Sequence, residues 1–208
     1  MKLIIFGATG SVGSQLVKQA LDQGYAVTAF TRSPEKLAAL AHDNLQIIKG
    51  DLQHATDVEN AIRNKDAVLC AIGDGANGKV RATGTRHILD AMQKTGSKRF
   101  ICQTTLGLGN SAGNLNFFWK YIMFGWLLKK AFQDHQIQER YIFDSSLDYT
   151  VVRPSAFTNG SVTNTYKVDF DGNYKKLSLK ISRADVANFM LQQLQNRLYS
   201  RKAVSISN

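Results

Sequence analysis

The chain has 208 residues, a length that fits one domain with a substantial core, and a formal net charge of +10. Its two cysteines are too few for a disulfide framework and are expected to be buried thiols, and no spacing of cysteine and histidine indicates a metal site. The lysines and arginines are scattered and do not alternate with aromatic residues, which disfavours nucleic-acid binding and favours a basic field that attracts an anionic cofactor and substrate.

The first predicted strand, 3–6, leads directly into a glycine-rich turn and a helix over 11–23. Glycines in such a turn let the backbone bend tightly, let a pyrophosphate approach the main chain and let the helix pack closely on the sheet. The phosphates would lie at the helix N-terminus, where free N–H groups favour negative charge. The spacing GxxGxxG also occurs in turns that bind nothing. The predicted phosphate contacts are Gly7, Thr9, Gly10, Ser11, Val12 and Gly13.

The second predicted strand, 25–30, leads to Arg32, at the position where a dinucleotide site needs a group that meets the adenine ribose. An acidic residue there would bind the 2′-hydroxyl of NAD, but the strand ends in Thr-Arg-Ser without a carboxylate. A guanidinium with five donors suits a 2′-phosphate, so the predicted cofactor is NADP(H), with Ser33 and Lys36 as helpers. The alternative interpretation of Arg32 is a solvated loop cation.

Strands and helices continue to alternate after this point. Parallel strands joined by right-handed crossovers form an open sheet, so we predict an α/β fold with a Rossmann-type doubly wound parallel sheet of order 3-2-1-4-5-6, in a single domain over 1–208. The further predicted elements are a helix beginning at Pro34, strands 45–49, 67–72, 99–103 and 149–154, and helices 56–64, 80–95 and 134–145.

The C-terminal part, about 153–182, is predicted to form a small lobe on the substrate side of the sheet. Its predicted elements are a hairpin from 166–170 and 177–181 with a turn at Asp171-Gly172, a helix over 186–194 opened by the capping-box-like Ser182-Arg183-Ala184-Asp185, and a short last strand over 203–206.

Four strand ends are predicted to supply the remaining cofactor contacts, because doubly wound sheets bind ligands at their carboxyl edge. Asp51 either binds the adenine amino group or caps the next turn, and Leu52 covers the adenine ring. The fifth strand delivers Thr104, a further predicted contact. The residues predicted to surround the nicotinamide are Ile72, Gly73, Thr105 and Pro154.

The segment 117–128 is apolar on nearly every helical face, so something must bury it. Packing in the core or in a dimer interface is one interpretation. A lid over a flat aromatic substrate is the second, and a helix on a membrane surface is the third.

Six motifs follow one another along the chain. They are GATGxxG at 7–13, Thr31-Arg32-Ser33, Gly50-Asp51-Leu52, Asp134-His135, the segment 145–154 and the segment 181–187. Read in that order, they resemble the atypical short-chain dehydrogenase/reductases. More narrowly, the chain is similar to the NAD(P)H-binding, NmrA-like group that includes biliverdin-IXβ reductase/flavin reductase.

The resemblance implies a reductase in which Thr105 and His135 are the catalytic residues. Asp134-His135 matches the aspartate and histidine of the flavin reductase, and Thr105 lies where that enzyme has an active-site serine, with Thr104 as the fallback. His135 is expected to titrate near neutral pH. The wider superfamily uses Tyr-x-x-x-Lys, which this chain lacks. Tyr149 has an arginine at that spacing, but it belongs to a predicted core strand.

These residues together predict an NADPH-dependent oxidoreductase that transfers hydride to a planar acceptor such as a flavin, quinone or bilin. A flavin can take its proton from water, which fits the missing Tyr-x-x-x-Lys. The alternative is an NADP(H)-binding redox sensor that regulates a partner without catalysis. We expect a cytoplasmic monomer or homodimer without a transmembrane segment, because Gly7 cuts the first apolar run short and 117–128 cannot span a bilayer.

Overall fold

A computed structural model describes all 208 residues. Its central sheet has eight strands in the order β3-β2-β1-β4-β5-β6-β10-β8, so the predicted order 3-2-1-4-5-6 with an added C-terminal strand is confirmed. All pairs in this sheet are parallel except β10 with β8. The strands are β1 Lys2–Phe6, β2 Ala26–Thr31, β3 Leu45–Lys49, β4 Ala67–Cys70, β5 Arg99–Gln103, β6 Asp148–Pro154, β7 Ala156–Thr158, β8 Lys167–Val168, β9 Lys180–Ser182 and β10 Lys202–Ser207.

Helices cover both faces of the sheet, because its central strands are apolar on both sides. Two helices, α1 and α5, pack together over one buried apolar cluster, and three helices, α2, α3 and α4, pack over the other. Cys70 and Cys102 are buried free thiols, as predicted. The helices are α1 Gly13–Asp22, α2 Ala55–Ile62, α3 Arg81–Thr95, α4 Lys129–Asp144 and α5 Arg183–Gln192.

The predicted C-terminal hairpin is wrong. The turn itself forms, since the Asp171 carboxylate accepts a hydrogen bond from the backbone N–H of Asn173 at 2.8 Å. The segments on either side of it find other partners: β8 pairs antiparallel with β10, and β9 pairs parallel with β7. Local alternation indicated two strands, but it carried no information about these more distant neighbours.

At two predicted helix N-termini, the structure differs from the prediction in its capping contacts. Residues Pro34–Leu37 form only a short 3₁₀ turn, in which the Ser33 side chain makes no capping hydrogen bond. At α5, the Ser182 hydroxyl accepts a hydrogen bond from the backbone N–H of Asp185, as a capping box requires. The Asp185 carboxylate does not complete the box, because it binds the backbone N–H groups of Thr163 and Asn164 instead.

The apolar segment forms a π-helix over Phe118–Leu127 that leads into α4. Its i→i+5 pattern ends with the N–H of Leu128 donating to the carbonyl of Met123 at 2.6 Å. No side chain of this helix is buried, so its interpretation as part of the core is wrong. Across the whole chain, no helix combines the length and the apolar character that crossing a membrane requires.

Candidate functional site

The glycine-rich turn packs too closely for any side chain at two of its glycines. Gly7 has a φ of +79°, and a Cβ there would lie 2.3 Å from the carbonyl oxygen of Ala71 at the end of β4. A Cβ on Gly13 would lie 2.0 Å from the carbonyl oxygen of Gly7. These contacts bring the first turn of α1 against the ends of β1 and β4, which is the close approach that a dinucleotide-binding turn needs.

A polar cleft of about 160 Å³ opens beside this turn, at the carboxyl ends of β1 to β4. It brings together eight residues that the sequence predicted as cofactor contacts: Gly7, Thr9, Gly10, Arg32, Asp51, Leu52, Ile72 and Gly73. Six others do not line it, and two of these, Thr104 and Pro154, line a neighbouring cavity. Ser11 is exposed, Val12 and Gly13 are buried, and the backbone N–H of Ser33 donates to the hydroxyl of Thr31 at 3.0 Å.

The charged groups of the cleft have different environments. Arg32 is exposed, and no carboxylate lies within ion-pairing distance of its guanidinium, which leaves all its donors free. Asp51 accepts a hydrogen bond from the backbone N–H of Gln53 at 3.0 Å. This bond favours the interpretation of Asp51 as the cap of a turn.

A larger cavity of about 400 Å³ lies next to the cleft and shares Ile72 and Gly73 with it. It contains the other predicted site residues, Thr104, Thr105, His135 and Pro154. Its outer wall is apolar and comes largely from the π-helix and the residue that follows it. The apolar residues that close this wall are Leu115, Trp119, Phe124 and Leu128.

His135 is buried in the wall of this cavity, where its Nδ1 lies 2.8 Å from Oε1 of Gln138. Because the Gln138 amide nitrogen donates to the hydroxyl of Thr85, Oε1 is the acceptor and Nδ1 carries the proton. The neutral ring therefore offers Nε2 as an acceptor. Burial and the charge of Arg81 lower the pKa of His135 to about 4, so the expected titration near neutral pH is wrong.

The two threonines at the end of β5 have different hydrogen-bond partners. Thr105 is half-buried, and its hydroxyl makes only a long 3.3 Å bond to the carbonyl of Leu106. The Thr104 hydroxyl donates to the buried carboxylate of Glu139 at 2.7 Å. Arg153 donates to the same carboxylate through Nε at 2.8 Å and Nη2 at 2.6 Å. This buried ion pair lies behind the cavity wall and holds the strand end in place.

Asp134 has a structural contact that explains its position beside His135. Its carboxylate accepts hydrogen bonds from the backbone N–H groups of Arg81 at 3.0 Å and Ala82 at 3.1 Å. These are two of the free N–H groups at the start of α3, so Asp134 caps α3 from the neighbouring helix. The contact positions the N-terminus of α3, and with it Arg81, at the cavity.

Residues 7–197 match the family described as NAD(P)H-binding. The chain belongs to this NAD(P)H-binding family. An uncharacterized chloroplastic protein of Arabidopsis thaliana is 30% identical over 99% of this chain and 76% of its own length. Several other relatives are longer, and the chain spans 40% of the chloroplastic protein TIC 62 of Pisum sativum.

Solved structures share the architecture of this chain. ChuY, an anaerobilin reductase of Escherichia coli O157:H7, is 24% identical and has a TM-score of 0.84, with 100% of this chain and 97% of that chain covered. A short-chain dehydrogenase/reductase of Veillonella parvula in complex with NADP is 19% identical and has a TM-score of 0.82, with 100% and 94% covered. At these identities the likeness shows the fold alone.

Two residues that set the environment of His135 escaped the sequence analysis. Gln138 lies three residues after His135 on α4, so the helical period places them on one face and was a usable signal. Arg81 contributes a buried guanidinium to the cavity, but it precedes His135 by more than fifty residues. No local pattern connects the two residues, because α3 and α4 meet only in the folded chain.

Proposed function

We propose that this protein binds NADPH in the polar cleft and reduces a planar acceptor, such as a flavin, quinone or bilin, held in the apolar cavity. The observation that carries the proposal is the junction of the two spaces at Ile72 and Gly73. A cofactor along the carboxyl edge of the sheet and a ligand in the cavity would meet there.

The residues of the cleft fit a dinucleotide phosphate. Gly7 and Gly13 pack so closely that neither position admits a side chain, and α1 begins immediately behind the turn. The unpaired guanidinium of Arg32 suits a 2′-phosphate, with its fork of parallel donors. When bound, NADPH would supply the hydride.

The chain's own residues would orient the acceptor and exclude water. The Thr105 hydroxyl is free to turn toward a ligand, and Nε2 of His135 accepts a hydrogen bond from an N–H or O–H group. Neither residue is an acid at neutral pH. A flavin-like acceptor fits this arrangement, because alignment matters more than a protein proton donor when water supplies the proton.

The charges on the cavity wall favour an acceptor that carries negative charge. Arg81 and Arg183 both line the cavity, and no aspartate or glutamate does. The Asp134 carboxylate lies 3.7 Å from Nη1 of Arg81, so Arg183 is the guanidinium of the two without a carboxylate partner. A phosphate or carboxylate on the acceptor would be attracted by these guanidinium groups. Phosphorylated flavins and carboxylate-bearing bilins belong to this class.

Arg32→Glu tests the cofactor assignment. It removes charge-assisted hydrogen bonds and adds repulsion, so NADPH binding should weaken by about 2–4 kcal/mol, which is at least about thirty-fold, while NADH binding stays nearly unchanged. Calorimetric titration with both cofactors measures this. Lys18→Glu makes the same charge change on the exposed face of α1 and is the matched control. Equal affinities of the unmodified protein for NADH and NADPH would refute the role of Arg32.

Stopped-flow oxidation of NADPH with flavins, quinones and bilins tests the reaction. Thr105→Val should slow reduction of the best acceptor, because it removes the hydroxyl and keeps the shape. His135→Gln should slow it as well, and NADPH binding should survive in both variants. Full activity in both variants, or no reduction of any acceptor, would contradict the mechanism.

A redox sensor is the second candidate function, and one observation favours it. Nothing that lines the cavity donates a proton readily at neutral pH, because the proton of His135 is directed at Gln138. A sensor would bind NADPH with unchanged dependence on Arg32 and would leave every acceptor oxidised. The stopped-flow panel therefore separates the two functions.

A further inference from the structure

The π-helix and the residue before it present an aromatic face to solvent. Phe117 is 72% exposed and Trp126 is 75% exposed. Six of the eleven large hydrophobic side chains that are exposed in the whole chain lie here, in one stretch of eleven residues. Single exposed apolar residues are ordinary, but a contiguous set marks an interaction surface. The aromatic face consists of Phe117, Phe118, Tyr121, Ile122, Trp126 and Leu127.

The charged residues in the segment that carries the aromatic face have one sign. Lys120, Lys129 and Lys130 are exposed within or beside it. The sequence has no aspartate or glutamate between Asp90 and Asp134, so no acidic residue of this long segment offsets the lysines. Long lysine side chains can lay their apolar stems along a hydrophobic surface while the ammonium groups reach an anionic one.

Helices that lie in a bilayer interface have this composition: exposed tryptophan and tyrosine, exposed leucine and isoleucine, and flanking lysines. Their aromatic rings sit at the level of the headgroups, and the ammonium groups bind anionic lipids. We propose that the aromatic face docks this protein on the surface of a lipid bilayer that contains anionic lipids.

A second copy of the chain fits this face less well. A twofold interface would place the same patch against itself, and the lysines of both copies would come together. The segment offers no carboxylate to pair with them, and like charges across an interface are costly. A bilayer with anionic headgroups supplies the complementary charge.

Docking would also place the large cavity at the bilayer surface. Trp119 and Phe124 project from the same π-helix into the cavity wall, while Trp126 projects to solvent. One helix therefore forms both the wall of the cavity and the proposed membrane contact.

Co-sedimentation of the full chain with vesicles tests the proposal. The protein should bind phosphatidylcholine vesicles that contain phosphatidylglycerol and bind pure phosphatidylcholine much more weakly. Trp126→Asp and, as an independent variant, Phe117→Asp should each weaken binding at least about ten-fold. Lys129→Gln and Lys130→Gln should each weaken vesicle binding about five-fold. Thermal unfolding of each variant checks that the fold is kept.

Leu198→Asp is the matched control. Leu198 is also an exposed apolar residue, at 62%, but it precedes β10 and so lies toward the opposite edge of the sheet. This variant should bind vesicles like the unmodified protein. Bromine-labelled lipids add a direct readout: in Trp119→Phe the one remaining tryptophan, Trp126, should be quenched on binding.

Three results would overturn the proposal. The first is no sedimentation with either vesicle type, and the second is equal binding to both. The third is a dimer in light scattering that Trp126→Asp converts to a monomer, because the aromatic face would then be covered by a second copy.

Discussion

The protonation of His135 makes the stability of this protein sensitive to mild acid. Burial and the charge of Arg81 lower the pKa of its ring from 6.5 to about 4 in the folded chain, and the hydrogen bond to Gln138 only partly opposes this. The unfolded chain binds a proton near pH 6.5, so between these values it holds more protons than the folded chain. The stability that His135 contributes is therefore complete above pH 6.5 and is lost as the pH falls toward 4.

The size of the effect follows from the two pKa values. Relative to pH 8, the free energy of unfolding should fall by about 2 kcal/mol at pH 5 through His135 alone, and by about 3 kcal/mol below pH 4. Urea unfolding at pH 8 and pH 5 measures the loss. His135→Gln keeps a polar side chain that does not titrate, so its loss should be smaller by about 2 kcal/mol.

Equal losses in the unmodified protein and His135→Gln would refute the reasoning, because they would show that His135 is protonated in the folded state. The same geometry has a kinetic consequence. A ring that is neutral throughout should leave the rate of acceptor reduction independent of its own ionisation between about pH 6 and 8. A rate that rises with protonation near pH 6.5 in the unmodified protein, but not in His135→Gln, would also contradict the assignment.

Three further substitutions test the rest of the site. Gly13→Ala places a Cβ 2.0 Å from the Gly7 carbonyl oxygen, so it should lower stability by about 1–3 kcal/mol and weaken NADPH binding, as measured by thermal unfolding and calorimetry. Glu139→Gln leaves the buried Arg153 charge unpaired, which should cost about 3–5 kcal/mol and lower the Tm by about 7–11 °C. Arg183→Gln should raise KM for flavin mononucleotide about ten-fold and leave KM for riboflavin unchanged.

Each of these three substitutions has a control variant or a control measurement that identifies the cause of its effect. Gly73→Ala adds the same methyl group where no atom lies within 4 Å, so it should keep the fold. Glu59→Gln removes a carboxylate from the surface pairs with Arg63 and Lys94, and its Tm should change little. A rise in KM for both flavins in Arg183→Gln would show that the change acts on cavity shape, not on charge.

The sequence alone predicted the sheet order and eight of the twelve residues that line the polar cleft. Regular alternation of apolar strands and helices leaves one short, right-handed way to connect parallel strands, and the structure follows it. The strand ends that carry Gly7, Arg32, Asp51 and Gly73 then meet at one edge of the sheet. Each of these residues was found because it lies directly after a recognisable strand.

Tertiary structure alone decided the chemistry of the cavity. The charge state of His135 depends on Arg81 and Gln138 and on burial, and only Gln138 is near it in sequence. The role of Asp134 as a cap depends on α3 lying against α4. Desolvation and Coulomb interactions act through space, so a sequence that shows a histidine does not show its pKa.

The sequence also did not determine whether the aromatic segment is buried, or by what. Apolar periodicity predicts that a helix needs a partner, but it does not say whether that partner is the core, a second chain or a bilayer. The same limit applies to β8 and β9, whose residues indicated strands and whose partners lie elsewhere in the chain. Local patterns determine which elements form, whereas packing between distant elements determines which of their faces remain exposed.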